Sequence, residues 1–182
     1  MACDLTKGRK EPCKDVVGGL RAVYFTDFGD YGTVTQTDDE ITDMSGTFTA
    51  FKYELKGNSS FEQAITSSRE NGTTFFEQTL NLTLKKLSKE DNKELKLLAF
   101  GRPHVAVEDY NGNVFVMGLE HGAEVTGGSI STGAAMADLS GYTLTLAASE
   151  LKPANFVDSP TAADPFDAMT SATVTVTEGT NS

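Results

Sequence analysis

Residues 75–87 read FFEQTLNLTLKKL. Phe76, Leu80, Leu82 and Leu84 fall on one side of an extended chain, and Glu77, Thr79, Asn81, Thr83 and Lys85 fall on the other. A period of two gives a strand one dry face and one wet face, whereas a helix would scatter the same leucines around its axis. At about 3.3 Å per residue the strand reaches about 40 Å, long for a small domain.

Working outward, the same alternation recurs in YTLTLAAS at 142–149, FKYEL at 51–55 and SATVTVTE at 171–178, and LRAVYF at 20–25 is a more continuous apolar run. Threonine fills many outward positions because its branched side chain suits a pleated surface. One helix is signalled, over about 89–99. Ser88 can cap the Asp91 amide, Asp91 can answer as in a capping box, and Gly101 with Pro103 stops the run; Leu95, Leu98 and Ala99 then share a face. One helix among many strands predicts a mainly β chain, an antiparallel β-sandwich or barrel-like fold with one packed helix.

The segments 27–47 and 56–74 read as long polar loops rich in Gly, Ser and Thr, of the kind that contact partners. Both ends read as arms. Residues 1–17 are of mixed charge around Pro12, a β core occupies 18–156, and 157–182 is a C-terminal extension that carries a last strand.

At 182 residues the chain is one domain of ordinary size, 1–182, able to bury a core without staples. Its net charge of −11 and pI near 4.5 argue against nucleic-acid binding through a basic face and fit either simple solubility or a specific acidic role. The first residues hold no apolar stretch of signal-peptide length, and no run approaches the roughly 20 apolar residues of a membrane span. Synthesis in the cytoplasm and no membrane partner are therefore expected. The Asn58, Asn71 and Asn81 glycosylation patterns read as chance matches in a Thr-rich chain. Cys3 and Cys13 match neither a zinc knuckle nor a CxxC motif, which leaves structural or free thiols, or a disulfide.

The stretch HVAVEDYNGNVFVMGLEHG, 104–122, holds both histidines. Its two alternating halves flank Tyr110-Asn111-Gly112-Asn113, whose Asn-Gly pair tolerates the positive φ of a tight hairpin turn. A calcium loop is the sharper alternative, with Asp109, Asn111, Asn113 and Glu120 at ligand positions, but the glycine is misplaced and no helices flank it. His104 and His121 are read as structural, because a catalytic pair needs a nucleophile and an orienting acid and a metal needs more ligands. TGGSISTG, 126–133, lacks the lysine of a phosphate loop and reads as a strand connection, and Asp38-Asp39-Glu40 as a solvated acidic loop. No GxSxG, HExxH or paired CxxC is present, so no enzyme, catalytic residue, metal or cofactor is expected.

With ADLSGYTLTLAASELKPANF (137–156), the capped helix, the hairpin and the long strands in view, the chain resembles the tail tube proteins of long-tailed bacteriophages from about Gly18 to Phe156. The stretch 56–80, KGNSSFEQAITSSRENGTTFFEQTL, resembles the loop or hairpin that in this group reaches toward the next ring, and SATVTVTEG at 171–179 goes beyond the matched core. The resemblance implies a virion structural protein, a homo-oligomer of hexameric rings stacked into a tube. Its partners would be other tail proteins, and viral DNA would pass through without specific binding during ejection. It implies lumen-facing positions at Glu77, Thr79, Asn81 and Thr83, and an inter-ring contact within 58–73 that includes Asn58, Arg69, Glu70 and Asn71.

Lys7, Arg9, Lys10, Lys14 and Arg21 are a third of the 15 positive charges, so the N-terminal arm either docks on an acidic neighbour or is merely solvated. Two rival readings stand beside the tube: a capsid decoration or other head-associated phage protein, and a carbohydrate-binding β-sandwich. The absence of Trp disfavours the latter.

Overall fold

In the computed structural model, which describes residues 7–11 and 13–179, the alternating stretch lies in the longest of the described strands. In chain order the elements are β1 Leu20–Thr26, β2 Val34–Thr37, β3 Glu40–Met44, β4 Thr47–Glu54, β5 Ser60–Ser68, β6 Thr73–Lys85, α1 Lys89–Phe100, β7 His104–Asp109, β8 Val114–Met117, β9 Glu124–Ser131, β10 Gly141–Glu150, β11 Asn155–Val157 and β12 Thr173–Glu178. Over its described residues the chain is mainly β and sandwich-like, with two sheets and one helix. Pairing is antiparallel except at β11 with β3 and β12 with β4, which run parallel.

The larger sheet has eight strands in the order β12-β4-β1-β7-β8-β11-β3-β2. β3 and β4 stand five places apart in it, about 24 Å if the sheet were flat. Only Ser45 and Gly46 join them, a reach of about 11 Å. The sheet must therefore curl until its two ends approach, and Thr173 N donates to Gly46 O across that junction (3.0 Å). Gly46 is required at this corner, because a Cβ there would collide with the Asp30 carbonyl.

Curling divides the interior in two. Inside the curl, Ala22, Tyr24, Ile41, Met44, Phe48, Ala106 and Val116 pack with Tyr31, Phe166 and Met169. On its outer side, Val23, Phe25, Val105, Val107 and Met117 pack against Leu80, Leu82, Leu146 and Ala148 of the second sheet. β1 feeds both layers, Ala22 and Tyr24 inward and Val23 and Phe25 outward, while Leu20, across an irregularity of register, joins the outer layer. A strand buried on both faces loses the need for alternation, so LRAVYF is apolar almost throughout.

The second sheet has four strands, β5-β6-β10-β9. Gln78, Leu80 and Leu82 of β6 are buried, whereas Glu77 and Asn81 are exposed and Thr79 and Thr83 half-buried, as the alternation dictates. The helix is capped as expected, with Asp91 N donating to Ser88 Oγ (3.0 Å). Leu95 is buried and Leu98 half-buried, but Ala99 is exposed and does not share their packed face. Gly101 closes the helix in an extended conformation, its N–H donating to the Leu97 and Leu98 carbonyls, so no left-handed residue is used.

Four expectations are corrected. The segment 56–74, read as a polar loop, holds the whole of β5 and the start of β6. The polar loop 27–47 contains the hairpin β2–β3, which turns at Asp38 and Asp39, both at positive φ, and supplies Tyr31, Ile41 and Met44 to the core. The stretch 126–133, read as a connection, lies largely within β9. The C-terminal extension 157–182 is no free arm over its described residues, since Val157, Phe166 and Met169 are buried and β12 pairs with β4.

Candidate assembly surfaces

The outward face of the four-stranded sheet is largely polar, with Phe75, Ala64 and Ala147 as apolar members. Glu77, Thr79, Asn81 and Thr83 of β6 share it with Thr143 and Thr145 of β10 and Ser129 of β9, through the registers Thr145↔Asn81 and Ser129↔Thr143. Thr145 Oγ1 donates to Asn81 Oδ1 (2.9 Å), and the Ser129 and Thr143 hydroxyls lie 2.8 Å apart, so the side chains satisfy one another along the surface. The four residues expected to face a lumen are thus brought together on one surface. That surface carries short hydroxyl and amide groups with few charges.

Both margins of this sheet are open among the described residues. β5 has nine residues and β9 has eight, each pairing on one side only. An unpaired edge presents a row of N–H and C=O groups that can template another strand. Within β9, Gly127 and Gly128 sit where Gly128 passes too close to the Thr143 carbonyl for a side chain, beside an irregularity of register at Thr145/Leu146.

The β5–β6 hairpin projects past the core. Ile65 is opposite Phe76 on the face that elsewhere packs inward, yet it is 70% exposed. Arg69, Glu70 and Asn71 form the exposed tip, where Asn71 N donates to Ser68 Oγ (3.3 Å). Asn58 does not join them. It lies at the opposite end of β5, in the left-handed region (φ 53°), where its carbonyl accepts from Thr83 Oγ1 (2.9 Å). The expected inter-ring set therefore divides into a tip and a root about 30 Å apart along the strand.

The N-terminal residues Lys7, Arg9, Lys10 and Lys14 are all exposed, and Cys13 is a free exposed thiol; Cys3 lies outside the described residues. Among its described residues the arm is held at its root, where Val17 N donates to Asn111 Oδ1 (3.0 Å) and Asn111 Nδ2 donates to Val17 O (2.8 Å).

The hairpin β7–β8 is built as a hairpin. Asp109 Oδ1 accepts the Asn111 and Asn113 amides, each at 2.8 Å, and Oδ2 accepts both asparagine side chains. Partial burial opposes ionisation, but those four bonds outweigh it and hold the carboxyl below its usual range. The acid of the supposed calcium loop is thus the cap of its turn, and Glu120 lies elsewhere, its N–H donating to Glu150 Oε1 (3.1 Å).

His104 is a buried structural residue. Gly29 N donates to its Nε2 (3.0 Å), which places the ring proton on Nδ1, donating to Gly118 O (2.7 Å). Tyr31 and Phe28 stack on the ring at 4.5 and 4.9 Å. Burial holds its pKa below the ordinary value, so the imidazole is neutral where both bonds are satisfied.

His121 belongs to a cluster that sequence reasoning missed. Its Nδ1 lies 2.9 Å from Glu150 Oε2, its N–H donates to Glu150 Oε1 (2.9 Å), and with Glu120 these three metal-ligating side chains fall within 4.8 Å of one another. Glu150 is 4% exposed and both its oxygens are engaged, so it serves as the clamp of the 118–123 turn. A separation of 29 residues hid the pair from any local motif. The other buried acid, Glu108, is likewise engaged, by Arg21 Nη1 (3.1 Å) and the Tyr24 hydroxyl (3.0 Å). No described helix is long and apolar enough to cross a membrane.

Comparison with protein families, with curated proteins and with solved structures returns no match for this chain.

Proposed function

We propose that this chain is a non-enzymatic structural subunit that self-assembles into hexameric rings, stacked as the tail tube of a long-tailed bacteriophage and conducting DNA into the host. The observation that carries the reading is the four-stranded sheet with two open edges of nearly equal length and a largely polar outward face. Joining β9 of one copy to β5 of the next satisfies both edges in a closed ring and turns the face of Glu77, Thr79, Asn81 and Thr83 toward one enclosed space. A face rich in hydroxyls, where Lys85 is balanced by Glu77 and Glu62, on a chain of net charge −11 offers phosphates little basic anchorage, which suits passage without binding. The projecting hairpin tip, Arg69 to Asn71, then meets the neighbouring ring.

Negative-stain electron microscopy of the concentrated protein tests the reading. Rings or hollow tubes of uniform width are expected. Dispersed particles that remain single even when seeded with the other tail proteins would overturn it and favour a shell-bound decoration protein.

A further inference from the structure

Between α1 and β4 the surface opens into two adjoining cavities of about 260 and 400 Å3 that share Phe51, Tyr53 and Glu94. Together they make one trough. Its floor is apolar, with Phe51 at 43% and Leu97 at 57% exposure. Its rim is acidic: Asp27, Glu90, Asp91, Glu94 and Glu178 line it, against Lys52 and Arg102. Lys52 is already bound to Glu178 (2.6 Å), and the Arg102 guanidinium lies over the Phe28 ring at 4.0 Å. The acidic field reaches the floor: burial first, then Asp91 and Glu94, push the Tyr53 hydroxyl up to about 12. An extended segment that is basic at one end and apolar at the other is the complementary shape.

The chain contains one such segment. Lys7, Arg9, Lys10 and Lys14 carry four positive charges against Glu11 and Asp15, and Val16 and Val17 are 69% and 60% exposed. None of these residues lines the trough of its own chain. Val17 is fastened at the β7–β8 turn, beside the Leu20 end of β1, whereas the trough flanks the opposite end at Phe25 to Phe28. We propose that the trough between α1 and β4 is the docking site for the N-terminal arm of a second copy of this chain, with Lys7 to Lys14 lying along Glu90, Asp91 and Glu94.

The inference rests on the reading of this chain as one that associates with its own copies, and it names the surface and the segment that meet. Exposed ion pairs contribute little singly, so the contact is weak for one arm and gains strength when many arms engage in one assembly. It also weakens with salt.

The test uses Cys13 as the reporter. In full-length protein carrying Cys3→Ser and Leu97→Cys, a short bismaleimide should link Cys13 of one copy to position 97 of another, giving dimers and a ladder on a denaturing gel. The yield should fall at least fivefold at 0.5 M salt. It should fall similarly with Glu90→Lys and Glu94→Lys, and return when Lys7→Glu, Arg9→Glu and Lys10→Glu are added to the same chain. Links absent, confined within one chain, or insensitive to both salt and charge reversal would overturn the docking. Rings or tubes that form without these links refute the arm's placement alone, whereas absence of both rings and links refutes the assembly reading as well.

Discussion

The two sheets solve the same problem in opposite ways. The eight-stranded sheet curls on itself, takes in the C-terminal segment as its edge strand β12, and buries both faces of β1. The four-stranded sheet buries one face and leaves the other, together with both edges, to the outside. Under the proposed reading, the open sheet is the part that other copies would complete, with stability concentrated in the curled sheet and assembly in the open one.

That contrast can be broken within a single strand. Leu80→Ala removes a fully buried side chain between the sheets and should cost about 3 kcal/mol in urea unfolding. Thr79→Ala, on the outward face one residue away, should stay within about 0.5 kcal/mol. Equal losses would mean that the outward face is also packed.

His104→Ala should cost about 2 kcal/mol, through two lost hydrogen bonds and the stacking on Tyr31. The same residue gives the curled sheet a pH dependence. Its folded pKa lies below the unfolded value of 6.5, so its contribution is complete above pH 6.5 and is lost as the pH falls through the folded value. An NMR titration in which the His104 ring protonates above pH 6.5 would contradict this. Ser88→Ala should cost about 1 kcal/mol, from the lost bond to Asp91 N.

The smallest effect on stability should accompany the largest on assembly. Ile130 is 64% exposed on the edge strand β9, and Ile130→Lys should shift unfolding by less than about 0.5 kcal/mol. A charge on an open edge opposes strand addition, so the same variant should abolish ring formation as read by sedimentation velocity. Rings of normal size from this variant would move the contact away from β9.

How much of this was legible in the chain follows from what each residue faces. β6 and β10 were readable because core lies on one side and water on the other, and Ser88 was readable because a cap is a local bond. The β2–β3 hairpin was not, since its turn uses Asp38 and Asp39 at positive φ in place of an Asn-Gly pair, and its strands are rich in threonine and acids. β9 was obscured by Gly127 and Gly128, of which Gly128 makes a close approach to β10. Phe166 and Met169 sit in a segment punctuated by prolines, and only the curl of the larger sheet gives them a core to enter. The outward residues of β6 fall on one face because they alternate along one strand. Asn58 stands apart from Arg69 to Asn71 because the length of β5 intervenes. The trough beside α1 and the Glu150 clamp join residues distant in sequence, which no local pattern announces.

Hydrogen exchange, read residue by residue on dilute and on concentrated protein, tests the central claim most directly. The account predicts that the outer-edge amides of β5 and β9 exchange freely in the dilute protein and are protected at least tenfold after assembly, while those of β1 and β7 are protected equally in both states. Assembled protein whose β5 and β9 edges still exchange as in the dilute state would contradict it.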